Sequence, residues 1–238
     1  MTEQERQRAI RLKLARMSTD AAAALSTGLP LGGLPRGSIV EIFGPSGSGK
    51  TSVALAVVAH CQRSGGSAAW VDAEHSFDPC YAAELGVRVE QLPVAQPQSA
   101  EQAFAMLREL AASGAVELLV VDSAAALVPA LELDIALGQG APGLHSRVLA
   151  SGLRTAARVA VRSGATMLFL NQTRSRPGEE ELSAGGPGLK LHAAVRIALA
   201  AGAAPGCARF RLLKNKAGEP FREGELRWNP APKPGENI

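Results

Sequence analysis

The run Gly44-Pro45-Ser46-Gly47-Ser48-Gly49-Lys50-Thr51 constrains this chain more than any other stretch, because it satisfies the pattern G-x-x-x-x-G-K-[ST] in a specific setting. Residues 38–43 (SIVEIF) before it read as a buried strand, and residues 51–61 (TSVALAVVAHC) after it as an apolar helix. A strand that turns through glycines into a helix leaves backbone N–H groups pointing into one concavity, with the positive end of the helix dipole behind them. Such a nest, from Gly44 to Ser52, binds phosphate. Lys50 is then placed to reach the β- and γ-phosphates of a nucleoside triphosphate, and the Thr51 hydroxyl to ligate Mg2+.

The rest of the chain reads as an α/β domain built around that loop. With 238 residues, 46% of them hydrophobic, one large domain is expected. No apolar run is long enough to span a bilayer, and residues 2–17 form a charged helix candidate with no signal segment, so a soluble cytoplasmic protein is expected. The three cysteines, Cys61, Cys80 and Cys207, are far apart and suggest reduced thiols, with neither disulfide nor zinc. Residues 18–37, rich in Ala, Gly and Pro, read as a linker.

Residues 68–72 (AAWVD) predict a second strand that delivers Glu74 to the ligand-binding edge of an open sheet. There Glu74 is a candidate to polarise the water attacking a γ-phosphate; a solvated carboxylate fits the spacing equally. His75 reads as a packing or hydrogen-bonding residue. A strand is expected near 92–96 and a helix over 100–113. Leu118-Leu119-Val120-Val121 ends in Asp122, the Walker B arrangement for a metal-holding carboxylate. Residues 166–170 (TMLFL) predict a strand covered on both faces, delivering Asn171 and Gln172 to the same edge. After Val195 the pattern alternates, which predicts antiparallel strands added on one side, with 224–228 closing that edge and a Pro-rich tail at 229–238. The fold class is a P-loop NTPase with a mostly parallel central sheet and helices on both faces.

Charge is informative by its place. The formal net charge is only +3, yet residues 135–178 contain no acidic residue and hold Arg147, Arg154, Arg158, Arg162, Arg174 and Arg176. In a helix over 146–163, Leu149, Leu153, Ala156 and Ala160 share one face, and the first four arginines form a separate stripe. That stripe is either a track for a nucleic-acid backbone or a solvated face. Glycine-containing loops at 132–143 and 173–188 flank the helix, a length that usually carries function.

These residues resemble the ATPase core of the RecA recombinase family, from about residue 25 to 228. The resemblance is carried by GGLPRGSIVEIFGP, DAEHSFDPCYAAELGV, SGAVELLVVDSAAAL, LFLNQTR and LLKNKAGEPF. It implies that Glu74 is the catalytic carboxylate, that Asp122 holds the metal with Thr51, and that Gln172 senses the γ-phosphate. It further implies that Asp78 and Tyr81 contact adenine, that Arg147, Arg154 and Arg174 contact single-stranded DNA, and that Lys214 and Lys216 reach a neighbouring subunit's ATP. The implied organisation is an N-terminal helix and linker (1–24), a RecA-like core (25–228) and the tail (229–238).

Departures from the family pattern shape the expectation. The resemblance leaves the expectation that the family's C-terminal domain has no counterpart and that the N-terminal part is shortened, and the second loop carries Glu179-Glu180-Glu181. Leu191 stands where the family has an aromatic residue. The expectation is therefore a DNA-dependent ATPase that binds MgATP and single-stranded DNA, acts in recombination, repair or the SOS damage response, and forms homo-oligomers or weakened filaments. One alternative is a RecA-like accessory protein that binds a translesion DNA polymerase under ATP control without strand exchange. The other is a small-molecule P-loop kinase, which needs an acceptor pocket and a basic lid.

Overall fold

Apolar residues in uninterrupted runs form strands that are covered on both faces, and three such runs, at 68–71, 118–121 and 167–170, make the centre of this protein together with the strand at 39–44, which Glu41 interrupts. A computed structural model describes residues 24–133, 143–174 and 182–228. The expected helix at 2–17 and the tail at 229–238 lie outside them, as do Arg176 and Glu179–Glu181. In chain order the elements are β1 (Ala24–Leu25), β2 (Leu34–Pro35), β3 (Ile39–Gly44), α1 (Lys50–Arg63), β4 (Ala68–Asp72), α2 (Pro79–Glu84), β5 (Val94–Ala95) and α3 (Ala100–Ala112). They continue with β6 (Leu118–Asp122), α4 (Ala130–Leu133), α5 (Leu144–Ser163), β7 (Thr166–Arg174), β8 (Leu182–Ser183), α6 (Gly188–His192), β9 (Val195–Ala201), β10 (Cys207–Asn215) and β11 (Glu223–Arg227).

The main sheet has the order β11-β10-β9-β3-β7-β6-β4-β5, with β8 paired to β7 off that path. From β9 to β5 the neighbours are parallel, whereas β10 and β11 are added antiparallel, as the change to alternation predicts. The period of two sends Val40, Ile42, Val120 and Leu168 into one core against α1, and Ile39, Val121, Met167 and Phe169 into another against α3 and α5. Each of these fully buried side chains contributes roughly 1.5–3 kcal/mol.

The helix ends are written locally. Ser99 caps α3 by accepting from Gln102 N at 3.2 Å, and Gly164, at φ 77°, ends α5. Leu149, Leu153, Ala156 and Ala160 are the buried face of α5, as predicted, and all four stripe arginines are exposed. Where α5 crosses α3, a Cβ on Gly152 would lie 2.2 Å from the Phe104 ring, so only glycine admits that approach.

Four expectations need correction. The presumed linker contains the β1–β2 hairpin, whose Leu25 and Leu34, with Leu31, are buried on the α1 side of the sheet. Thr27 holds that hairpin loop, its Oγ1 donating to Leu29 O and Gly32 O. The strand expected at 92–96 shrinks to the edge pair Val94–Ala95, and β7 runs on four residues past Leu170, to Arg174. His75 does not pack; it is exposed, with φ 53°.

Candidate functional site

Parallel strands end at one edge, and here β3, β4, β6 and β7 deliver Gly44, Asp72, Asp122 and Gln172 to it. A cleft of about 610 Å3 opens there, lined by the loop residues Ser46, Gly47, Gly49, Lys50, Thr51 and Ser52 together with Glu74, Asp122 and Gln172. Its far wall is residues 201–207 and Trp228. Gly49 caps α1 at φ 85°, with no side chain on the first-turn N–H groups and no acidic residue in that turn. Those donors face the cleft as an anion nest. The Trp228 indole packs directly on Gly49, where any Cβ would meet its ring at 2.4 Å.

Lys50 lies along the loop, its Nζ donating to Gly44 O at 3.0 Å and Pro45 O at 2.8 Å. Burial lowers its pKa, and the carboxylates of Asp122 and Glu74 oppose that shift. Across the cleft the Thr51 hydroxyl donates to Asp122 Oδ2 at 3.0 Å. Asp122 is pushed up to about 6, first by burial and then by the charges of Glu74 and Asp72, against the pull of the Thr51 hydrogen bond and Lys50. A hydroxyl and a carboxylate oxygen at this separation are hard donors suited to Mg2+. Among the described residues no group of three His, Cys, Asp or Glu side chains converges on another metal site.

Glu74 is held from two sides. Its Oε1 accepts from Ser123 Oγ and, at 3.4 Å, from Gln172 Nε2. Its backbone is set by Ala73 N and Glu74 N, both donating to Asp122 O. Asp72, buried and level with Asp122 across the β4–β6 pair, accepts from Ser76 N, Phe77 N and Gln96 Nε2 and so fixes the turn that carries Glu74. Asp72 and Ser123 were missed from the sequence. The signal for Asp72 was present, since β4 ends in aspartate just as β6 does.

Tyr81 is joined to the phosphate loop through its hydroxyl, 2.6 Å from Ser52 Oγ. It lines a second cleft of about 450 Å3 that shares residues 204–207 and Trp228 with the first. Asp78 lines neither cleft. Its Oδ1 accepts from Cys80 N and Tyr81 N, which caps α2 and fixes the start of the helix bearing Tyr81.

The expected nucleic-acid and cross-subunit residues lie elsewhere. Arg147 and Arg154 are exposed on α5, and Arg174 is the last residue of β7. Because β10 runs antiparallel, Cys207 borders the phosphate cleft while Lys214 stands near its far end, roughly 23 Å away along the strand. Lys214 Nζ donates to Lys190 O at 2.9 Å and Leu191 O at 3.4 Å, closing the end of α6. Lys216 is exposed, and so is Leu191. The His192 pKa is lowered by burial and by the charges of Arg154, Lys214 and Lys216.

The family model of the RecA N-terminal domain matches residues 5–228. Protein RecA of Thermus thermophilus is 44% identical over 216 residues, covering 85% of this chain and 64% of that protein. Protein RecA of Rubrobacter xylanophilus is 44% identical over 223 residues, covering 89% and 64%. Protein RecA of Deinococcus radiodurans is 39% identical over 216 residues, covering 85% and 60%. The chain thus spans less than two thirds of the length of these relatives.

Proposed function

Because the chain belongs to the RecA family, we propose that its 25–228 core binds MgATP and hydrolyses it at a rate raised by single-stranded DNA, in recombination, repair or the response to DNA damage. The observation that carries this is the Thr51–Asp122 hydrogen bond beside a helix N-terminus that no side chain caps, with Glu74 and Gln172 on the same cleft. The donor set fits: N–H groups and Lys50 for phosphate, and a hydroxyl and a carboxylate for the metal.

In this reading the first turn of α1 and Lys50 hold the phosphates and neutralise charge as it develops. Thr51 and Asp122 would hold Mg2+, which would supply positive charge against the phosphates. Glu74, steadied by Ser123 and Gln172, orients the attacking water and draws its proton. Gln172 faces the γ-phosphate end. Ser52 and Tyr81 lie toward the adenine, with Tyr81 and Trp228 supplying aromatic walls, and Asp78 sets the helix under Tyr81.

The exposed arginines of α5, with Arg174 at the end of β7, supply cations for a single-stranded DNA backbone. Lys214 and Lys216 are too far along β10 to serve the ATP of their own chain, which favours a role at a neighbour's cleft in an oligomer or filament. Among the described residues no helix is long and apolar enough to cross a membrane; we assign the activity to the cytoplasm.

The test is ATP turnover with and without single-stranded DNA at low and moderate salt, with particle size followed in the same samples. DNA-stimulated turnover with growth into long particles supports the reading. Turnover that ignores DNA, from a monomer or dimer, overturns its DNA part and turns attention to a protein partner such as a translesion polymerase.

A further inference from the structure

Glu41 sits in the middle of β3, three residues before Gly44 at the phosphate-loop end, and is 0% exposed. A carboxylate so placed is costly unless both oxygens are satisfied. Here Oε1 accepts from Asn171 Nδ2 at 3.0 Å and Oε2 from Arg196 Nε at 2.5 Å. Arg196, 8% exposed, lies 4.7 Å over the Phe43 ring, and its Nη2 donates to Ser183 Oγ at 3.2 Å. Asn171 makes two further bonds: Nδ2 donates to Ala184 O at 3.0 Å, and Oδ1 accepts from Gln172 N at 2.9 Å. Ala184 N in turn donates to Gln172 O at 2.8 Å.

One buried carboxylate therefore ties β3, β7 and β9 to the segment that leads into α6. At its other end the same network meets the backbone of Gln172, whose side chain reaches Glu74. Stability alone does not call for this arrangement, because apolar residues of similar volume commonly replace a buried ion pair without loss. We propose that Glu41, Arg196 and Asn171 are positioning residues. They fix the Gln172 backbone so that its amide faces Glu74, and they pass any displacement of Gln172 to Ser183–Ala184 and on to α6, whose Lys190 and Leu191 carbonyls hold Lys214. The inference rests on the reading that Glu74 and Gln172 act on ATP.

The test compares the full chain with two variants. One carries Glu41→Leu together with Arg196→Met, which removes both charges at once. The other is Ser183→Ala, which removes only the hydroxyl that Arg196 reaches; it decides the matter if the double variant does not fold. In the ligand-free protein, exchange of the Ala184 amide rises about tenfold in the double variant and about threefold in Ser183→Ala, with the Leu168 and Val120 amides unchanged. The ratio of turnover with single-stranded DNA to turnover without it falls about fivefold or more, while MgATP affinity stays within about threefold.

Wild-type exchange at Ala184 in the variants overturns the pinning. Faster exchange with a wild-type DNA ratio overturns the transmission and leaves the pair a structural one. A wild-type chain without ATP turnover defeats the proposed function instead, and the Ala184 exchange still judges the pinning.

Discussion

Glu74→Gln exchanges one carboxylate oxygen for an amide nitrogen and leaves the shape of the cleft intact. Ser123 Oγ and Gln172 Nε2 both donate to Oε1, and the amide oxygen of glutamine accepts from both. The backbone of the turn stays anchored by Asp122 O and the Asp72 carboxylate. MgATP affinity should therefore change by less than about threefold, or ~0.6 kcal/mol. Turnover should fall much further. A positioned general base contributes about 10²- to 10⁴-fold, and phosphoryl transfer depends mainly on positioning and charge, which Lys50 and Thr51 still supply. We expect the lower end, about 100-fold, which is ~2.7 kcal/mol on the barrier. Removing Glu74 also removes one of the charges that push Asp122 up, so metal binding is not weakened. The assay is phosphate release at saturating MgATP with single-stranded DNA, beside equilibrium nucleotide binding. A fall of less than about threefold in turnover, or loss of binding, refutes the role of Glu74.

Three further outcomes follow from the geometry. The chain has two tryptophans, Trp70 buried at 1% exposure and Trp228 on the cleft wall, so MgATP should change Trp228 emission; a response that persists in Trp228→Phe contradicts its place. Asp122 has a folded pKa raised to about 6, so the folded chain holds a proton that Mg2+ must displace as pH falls through 6. Mg2+ affinity should then drop about tenfold per pH unit below 6, while this group adds stability to the ligand-free chain as pH falls from 6 toward 4; affinity flat to pH 5 refutes it. Arg196→Met alone strands a buried carboxylate and should cost about 3–5 kcal/mol, or roughly 6–20 °C in Tm for a chain of this size. Adding Glu41→Leu should restore most of it, and a single variant melting within about 3 °C of wild type contradicts that.

The elements legible in the sequence are those whose signal is local. The strand, loop and helix around Lys50 carry their own periodicity and glycines, β6 announces itself by four apolar residues and Asp122, and the buried face of α5 follows from the spacing of Leu149, Leu153, Ala156 and Ala160. What escaped depends on partners distant in sequence. Leu25, Leu31 and Leu34 look like linker residues among Gly and Pro because the core they cover is made by other strands. Glu41 reads as a polar interruption of a strand until Arg196, 155 positions later, is paired with it. Trp228 closes a cleft whose other wall is the phosphate loop, a contact that no spacing rule reports.

The central claim is that the nest from Gly44 to Ser52, completed by Asp122, holds MgATP. Calorimetric titration of ATP into the chain, with Mg2+ and then with chelator, tests it most directly. The account predicts saturable binding of one nucleotide per chain, weakened about tenfold or more by chelation and again by Lys50→Ala. Binding that ignores both the metal and Lys50, or no binding at all, contradicts it.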